Sequence, residues 1–396
     1  YARALVCAND EMTLGMVVVD LCFVTRELTD LARAEIEKQT GIPGEHVVIS
    51  ATHTHSGPSG FAGMEYWGSE ADPRLTEFLV TQIAQSVSQA HAALVPAQIG
   101  FAYGHLDTMS RNRQQNNTTV IDPQVGVLKV QQKDSREMIA VLANFTAHPV
   151  ILGSENLLLS SEFPGQACRT VEETLGGVAI LTQGACGDMT IERNGPPHDE
   201  VARVGRAIGA EIIKVSELIR VVDDNTLFSQ TQNVDLEPRS VSSPEDALVN
   251  IDARTQALAD AKTAGKPKRI LDDLQREVYA ANTTSMLAKM VVETPSILEH
   301  AIHPRIQVTR IGPLIAVSMP GEMFVEYQLE MKQRITQDTG QPAIVVGYAN
   351  DYIGYIITPR AQETGGYEKA ISLVSYTSGR TLTEAAMSIV RESMAK

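Results

Sequence analysis

The chain alternates short, almost wholly apolar runs with stretches in which apolar residues recur at helical spacing. GMVVVD (Gly15 to Asp20) and HVVISA (His46 to Ala51) read as strands, because runs this short and this apolar leave no polar face and are too brief for a helix. Between them, Glu27 to Gln39 places Leu28, Leu31, Ala32 and Ile36 on one side of a helix, and Gly41 supplies the residue that can end it. Strand, helix and strand in that order predict a right-handed crossover with parallel strands. Asp72 followed by Pro73 reads as a capped helix start, running to about Leu94.

The pattern then recurs, with MIAVLANF (Met138 to Phe145) as strand, about Pro164 to Leu175 as helix and VAILT (Val178 to Thr182) as strand. Between Pro244 and about Val292 lie two charged helical stretches broken by GKP at Gly265 to Pro267, after which RIQVTRI and LIAVSM return the chain to the sheet. The expected architecture is α/β: a mixed, largely parallel β-sheet core flanked by helices, as one catalytic domain over residues 1–396 with a helical insertion at about 244–292.

Composition narrows the function. At 43% hydrophobic and 20% charged residues the chain can build a large core. Its net charge of −15 argues against nucleic acid, whose backbone requires concentrated positive charge. Cys7, Cys22, Cys168 and Cys186 lie in apolar segments without CxxC spacing and read as small core residues. No run approaches the roughly 20 apolar residues of a membrane span, so a soluble protein is expected, cytoplasmic or secreted. The chain opens inside the strand-like YARALVCAN without an initiator Met, so a trimmed N-terminus, and a signal peptide on it, is part of that expectation.

Short polar clusters directly follow the apolar runs. HTHSGP, with His53 and His55, follows HVVISAT; TAHP, with His148, follows MIAVLANF; QGACGDMT, with Asp188 and Thr190, follows VAIL. PGE, with Glu322, follows LIAVSM, and YANDYIGY, with Tyr352 and Tyr355, follows PAIVV. Ligands of open α/β sheets bind beyond the carboxyl ends of strands, so these clusters are candidates for one shared site. Two imidazoles and a carboxylate suit zinc, whose catalytic sites typically keep an open position. His46, His91, His105, His198, His300 and His303 lack such settings and read as surface or structural. An amidohydrolase barrel also opens with HxH after a strand, but needs eight β/α units, which the strandless 244–292 region argues against. A non-catalytic protein that binds an acyl ligand is a further alternative.

THTHSGP, the Asn112-Arg113 dipeptide, AHP at His148, GACGD, PGE, and NxYxxY followed by GYE at Gly366 to Glu368 resemble, in order, the motifs of the neutral/alkaline non-lysosomal ceramidase family. The resemblance implies a zinc-dependent amidase acting on an N-acyl, lipid-like substrate, with one zinc ion per chain held by His53, His148, Glu322 and Tyr355. It also implies that His55 and Arg113 surround the nucleophile and the developing oxyanion, and that Tyr367 is the family's second functional tyrosine. The family's nucleophilic serine lies in a GDVSPN motif; here the segment reads GDMTIERN, with Thr190 at the serine position and no following proline. Either the Thr190 hydroxyl or a water activated at the zinc then attacks the amide, with His55 relaying a proton to the leaving amine. The long ceramidases carry a C-terminal β-domain, whereas this chain stops at Lys396, which shifts the expected substrate from ceramide itself towards smaller N-acyl amides.

Overall fold

The structure, a computed structural model, describes residues 1–114 and 119–394. Strands Thr13–Val19 and Val47–Ala51 are parallel and joined by helix Arg26–Thr40, as the first crossover predicts, while Ala2–Ala8 adds an antiparallel neighbour. The helix starts where the Thr25 side chain accepts the Leu28 N–H and stops at Gly41, whose φ of 74° suits a residue without Cβ. Asp72 caps helix Pro73–Ala92 by accepting the Arg74 N–H.

A second sheet orders Ala97–His105, Gln124–Gln132, Met138–Phe145 and Val178–Gln183; a third orders Leu227–Asn233, Arg305–Ile311, Leu314–Ser318 and Ala343–Val346. Two short ribbons pair Ser110–Asn112 with Met189–Ile191, and Glu322–Met323 with Tyr355–Ile356. These are open sheets, unlike a closed eight-stranded barrel.

The expectation of a largely parallel core needs correction, because antiparallel pairings hold much of all three large sheets together. The apolar runs suggested parallel strands because such strands are buried on both faces. Here another arrangement gives the same burial. Met16, Val18 and Val48 from the first sheet, Leu128, Leu142 and Ile180 from the second, and Leu314, Ala316 and Ile344 from the third meet in one central cluster. The alternate residues point the other way and are covered by helices: Val17 and Val19 meet Leu28, Ile36 and Val87, while Val141 and Ala143 meet Phe163, Val204 and Ile208. On the third sheet, Ile315 and Val317 pack with Met331, Ile335 and Leu382. Each large aliphatic side chain so buried contributes about 1.5–3 kcal/mol.

At one end of this core the strand termini are stitched together. The Ala51 N–H donates to Tyr348 O (3.1 Å), Gly184 N–H to Phe145 O (2.9 Å) and Gly347 N–H to Gln183 O (3.0 Å). Away from this seam, helices Pro244–Thr263 and Lys268–Glu293 form an arm; they pack on each other, and the second also packs on the short helix Tyr367–Ile371. No described helix is long and apolar enough to cross a membrane.

Candidate metal centre

The seam carries the polar clusters. His53 follows Val47–Ala51 and adopts φ 63°, a left-handed conformation that costs a non-glycine residue about 1–3 kcal/mol and that points to function where the surroundings enforce it. Its ring stacks on Tyr348, with centroids 3.9 Å apart. His148 follows Met138–Phe145 and is anchored by its own N–H to Met189 O. Glu322 follows Gly321, whose φ is 87° and where a Cβ would come within 2.5 Å of Gly354 O, so the PGE turn needs its glycine. Glu322 pairs in parallel register with Tyr355.

His53, His148 and Glu322 converge, all buried, with their potential ligand atoms within 4.8 Å of one another. His53 Nε2 lies 3.6 Å and His148 Nε2 3.1 Å from Glu322 Oε2. Each ring turns Nδ1 outward onto a backbone carbonyl, Cys22 O at 2.6 Å and Met189 O at 2.8 Å. Burial pushes the two imidazoles down, His53 to about 3 and His148 to about 4, so both are neutral near pH 7. With the single ring proton assigned to Nδ1 by these hydrogen bonds, both Nε2 lone pairs face the carboxylate. Burial works to raise the Glu322 pKa, but the two histidines and the Tyr352 hydroxyl outweigh it and hold the carboxyl below its usual range.

Three acceptors aimed at each other without a proton between them repel, and a cation among them removes that repulsion; the donor set therefore fits a divalent metal. Cys22, His53 and His55 make a second trio. Burial and the Glu322 carboxylate push the Cys22 thiol up, whereas the first trio already presents a charged carboxylate and two neutral imidazoles, which makes it the better ligand set.

The other expected site residues surround this centre. Tyr355 accepts an Arg113 Nη2 hydrogen bond of 2.9 Å, and Arg113 is itself fixed by Glu368 (2.7 Å) and Gly187 O (2.8 Å). The Tyr367 ring stands edge-on to Tyr355, centroids 5.9 Å apart. His55 is exposed, with Nε2 3.2 Å from His53 Nε2. Thr190 is half-buried and forms a backbone bridge with His148. The NR and GD motifs hold each other: Asn112 Nδ2 donates to Asp188 Oδ2 (2.6 Å), Arg113 N–H to Asp188 O (2.8 Å), and Asp188 Oδ1 accepts the Val325 N–H (2.9 Å).

Several contributors carry little signal in the sequence. Tyr352 donates to Glu322 Oε1 at 2.5 Å and Tyr348 to Oε2 at 3.4 Å, roles their clustering in YANDYIGY hints at without apportioning. Cys22 acts through its carbonyl, which any residue provides. Glu162, buried with Oε1 accepting the Leu152 N–H, braces the loop that leaves His148; SSEF reads only as an acidic helix start. His300, read as surface or structural, pairs with Asp351 at 2.9 Å beside Tyr352.

Known proteins resemble this chain over most of its length. The chain is 25% identical over 410 residues to a neutral ceramidase of Mycobacterium tuberculosis, covering 88% of this chain and 63% of that protein. It is 25% identical over 430 residues to the neutral ceramidase of Pseudomonas aeruginosa, covering 94% and 62%. It therefore spans about three fifths of the length of these curated relatives. The crystal structure of the Pseudomonas enzyme shares the fold, with a TM-score of 0.73 at 22% identity over 99% of this chain and 69% of that one. A solved ceramidase complexed with C2 gives a TM-score of 0.75 at 20% identity, over 99% and 70%. The N-terminal model of the neutral/alkaline non-lysosomal ceramidases matches residues 1–202, which takes in His53, His148, Arg113 and Thr190, and by that match the chain belongs to this family.

Proposed function

We propose that the protein is a zinc-dependent amidase that hydrolyses an N-acyl substrate. The observation that carries this reading is the pair of neutral imidazoles with inward Nε2 lone pairs against one buried carboxylate. His53, His148 and Glu322 would hold the zinc, one ion per chain, with the Tyr355 phenol as fourth donor. Zinc there supplies polarisation of the amide carbonyl and a lower pKa for water. The relatives' name, neutral ceramidase, supports a ceramide-like amide or a smaller N-acyl amide as the substrate class.

The chain's own groups account for the remaining steps. Arg113, locked between Glu368 and Gly187 O, holds a cationic fork beside Tyr355 for the oxyanion. Burial pushes the Tyr367 phenol up to about 12, so it stays a hydrogen-bond donor at neutral pH. Loss of one oxyanion donor typically costs about 2.7–4 kcal/mol. The backbone bridge between Thr190 and His148 keeps the threonine beside a candidate ligand, in line with its hydroxyl as nucleophile, and His55, with Nε2 3.2 Å from His53 Nε2, is the group for proton delivery to the departing amine.

The test is metal analysis of the purified protein combined with turnover of a panel of N-acyl amides. The expected result is one zinc per chain and hydrolysis that a chelator abolishes and added zinc restores. Hydrolysis that survives complete removal of metal would refute the proposal.

A further inference from the structure

Beside the metal centre, between helix Lys268–Glu293 of the arm and the segment around Tyr367, lies a cleft of about 980 Å³. Arg239, Arg254, Arg276 and Lys369 join Arg113 in its wall, a concentration of positive charge in a chain whose net charge is −15. The carboxylates in the wall, among the described residues, are Glu277 and Glu368, and both are engaged: Glu277 by Arg254, and Glu368 by Arg113 and by Gln114 Nε2 at 2.6 Å.

Arg239 and Lys369 are held differently. Arg239 Nη1 donates to the carbonyls of Lys369 and Ser372, and Lys369 Nζ donates to Gln362 O at 2.6 Å. Carbonyl oxygens satisfy N–H donors but carry no formal charge, so these two half-buried cations, which line the same cleft and whose residues touch through the Lys369 carbonyl, are not neutralised by their hydrogen bonds. Burial pushes the Arg239 pKa down, as expected of a cation held without a carboxylate. The arm's Tyr279 lies 5.7 Å, ring to ring, from Tyr367, so the cleft reaches the phenol assigned to the reaction. A neutral lipid amide would leave the excess charge unanswered, whereas an oxyanion matches both the guanidinium fork and the ammonium.

We propose that this cleft is a specificity site for an anionic group on the substrate, bound between Arg239 and Lys369. The preferred substrates are then N-acyl amines that carry a carboxylate, sulfonate or phosphate, rather than neutral ceramide-like amides. This inference rests on the amidase reading above, and its test separates the two.

The probes are N-lauroyltaurine and N-lauroylethanolamine, which share an acyl chain and differ in head-group charge, applied to the zinc-loaded protein with turnover and calorimetric binding measured in parallel. N-lauroyltaurine is expected to bind and react with an advantage of about tenfold or more, the worth of one charge-assisted contact. Arg239→Gln and, separately, Lys369→Gln should each erase most of that advantage while leaving N-lauroylethanolamine turnover and zinc content unchanged. Equal use of both amides, preference for the neutral one, or an equal loss on both in the variants would overturn the proposal. Binding of N-lauroyltaurine that depends on Arg239 and Lys369, without hydrolysis of either amide, would uphold the cleft and overturn the amidase reading. Absence of both binding and hydrolysis would overturn the cleft.

Discussion

His148 Nε2 sits 3.1 Å from Glu322 Oε2, although the two residues are 174 positions apart in the chain. With Nδ1 committed to Met189 O and the ring neutral, this is a contact between two acceptors in a buried setting. His53 brings a third acceptor to the same oxygen, at 3.6 Å. A geometry that is unfavourable by itself and complete once a cation is added motivates the first two predictions.

His53→Ala and His148→Ala should each lose zinc, falling from about one ion per chain to a small fraction of that, because catalytic zinc sites typically use three protein ligands. Elemental analysis after dialysis reads this directly. Full occupancy in both variants would strike the two histidines from the ligand set.

Tyr352→Phe should retain the fold but weaken zinc binding by about 10–100-fold, the usual consequence of removing a group that orients a ligand. The variant deletes only the hydroxyl that donates to Glu322 Oε1. Competition with a chelator of known affinity measures the change, and unaltered affinity would show that Glu322 needs no such support.

Thr190 separates two mechanisms. If its hydroxyl attacks, Thr190→Ala should lower kcat by several orders of magnitude with zinc still bound, and Thr190→Ser should keep much of the activity. If water attacks directly, the alanine variant should lose about tenfold, on the order of 1.4 kcal/mol of barrier. Near-normal kcat in Thr190→Ala would remove the residue from the reaction.

Glu162 gives a stability signature. Burial pushes its carboxyl up to about 7 from an ordinary 4.5. In that window the folded chain keeps a proton that the unfolded chain has released, so stability should decline as pH rises from about 4.5 to about 7, by no more than ~3–4 kcal/mol, and level off above. Glu162→Gln should flatten that slope. Urea midpoints measured across the range for both proteins decide it, since parallel curves would mean that Glu162 does not titrate in this way.

The sequence made the site more legible than the sheets. The polar clusters that contain His53, His148, Glu322 and Tyr355 stand out because they follow apolar runs, and strand ends are where a packed core releases the chain into space for polar groups, whereas the choice of these four as candidate ligands rests on the family resemblance. The pairing direction was hidden for a related reason: a run such as MIAVLANF records burial on both faces, which a parallel sheet under helices and a sheet facing other sheets both produce. The carbonyls of Cys22 and Met189 were invisible because backbone oxygens are common to all residues. Tyr348 and Tyr352 were visible as aromatics, but their hydroxyls find Glu322 only through the turn that gives Tyr348 a φ of 53°.

The separation between the stitched strand ends and the helical arm has an evolutionary reading. The groups assigned to bond cleavage sit mostly where substitutions disturb several segments at once, whereas helices Pro244–Thr263 and Lys268–Glu293 pack on each other and on the short helix Tyr367–Ile371, and reach the core of the third sheet through Leu287 on the second of them. Descendants of a common ancestor therefore inherit the reaction whole and diversify by rewriting the cleft that the arm shares with Arg239 and Lys369, acquiring new diets without relearning how to digest.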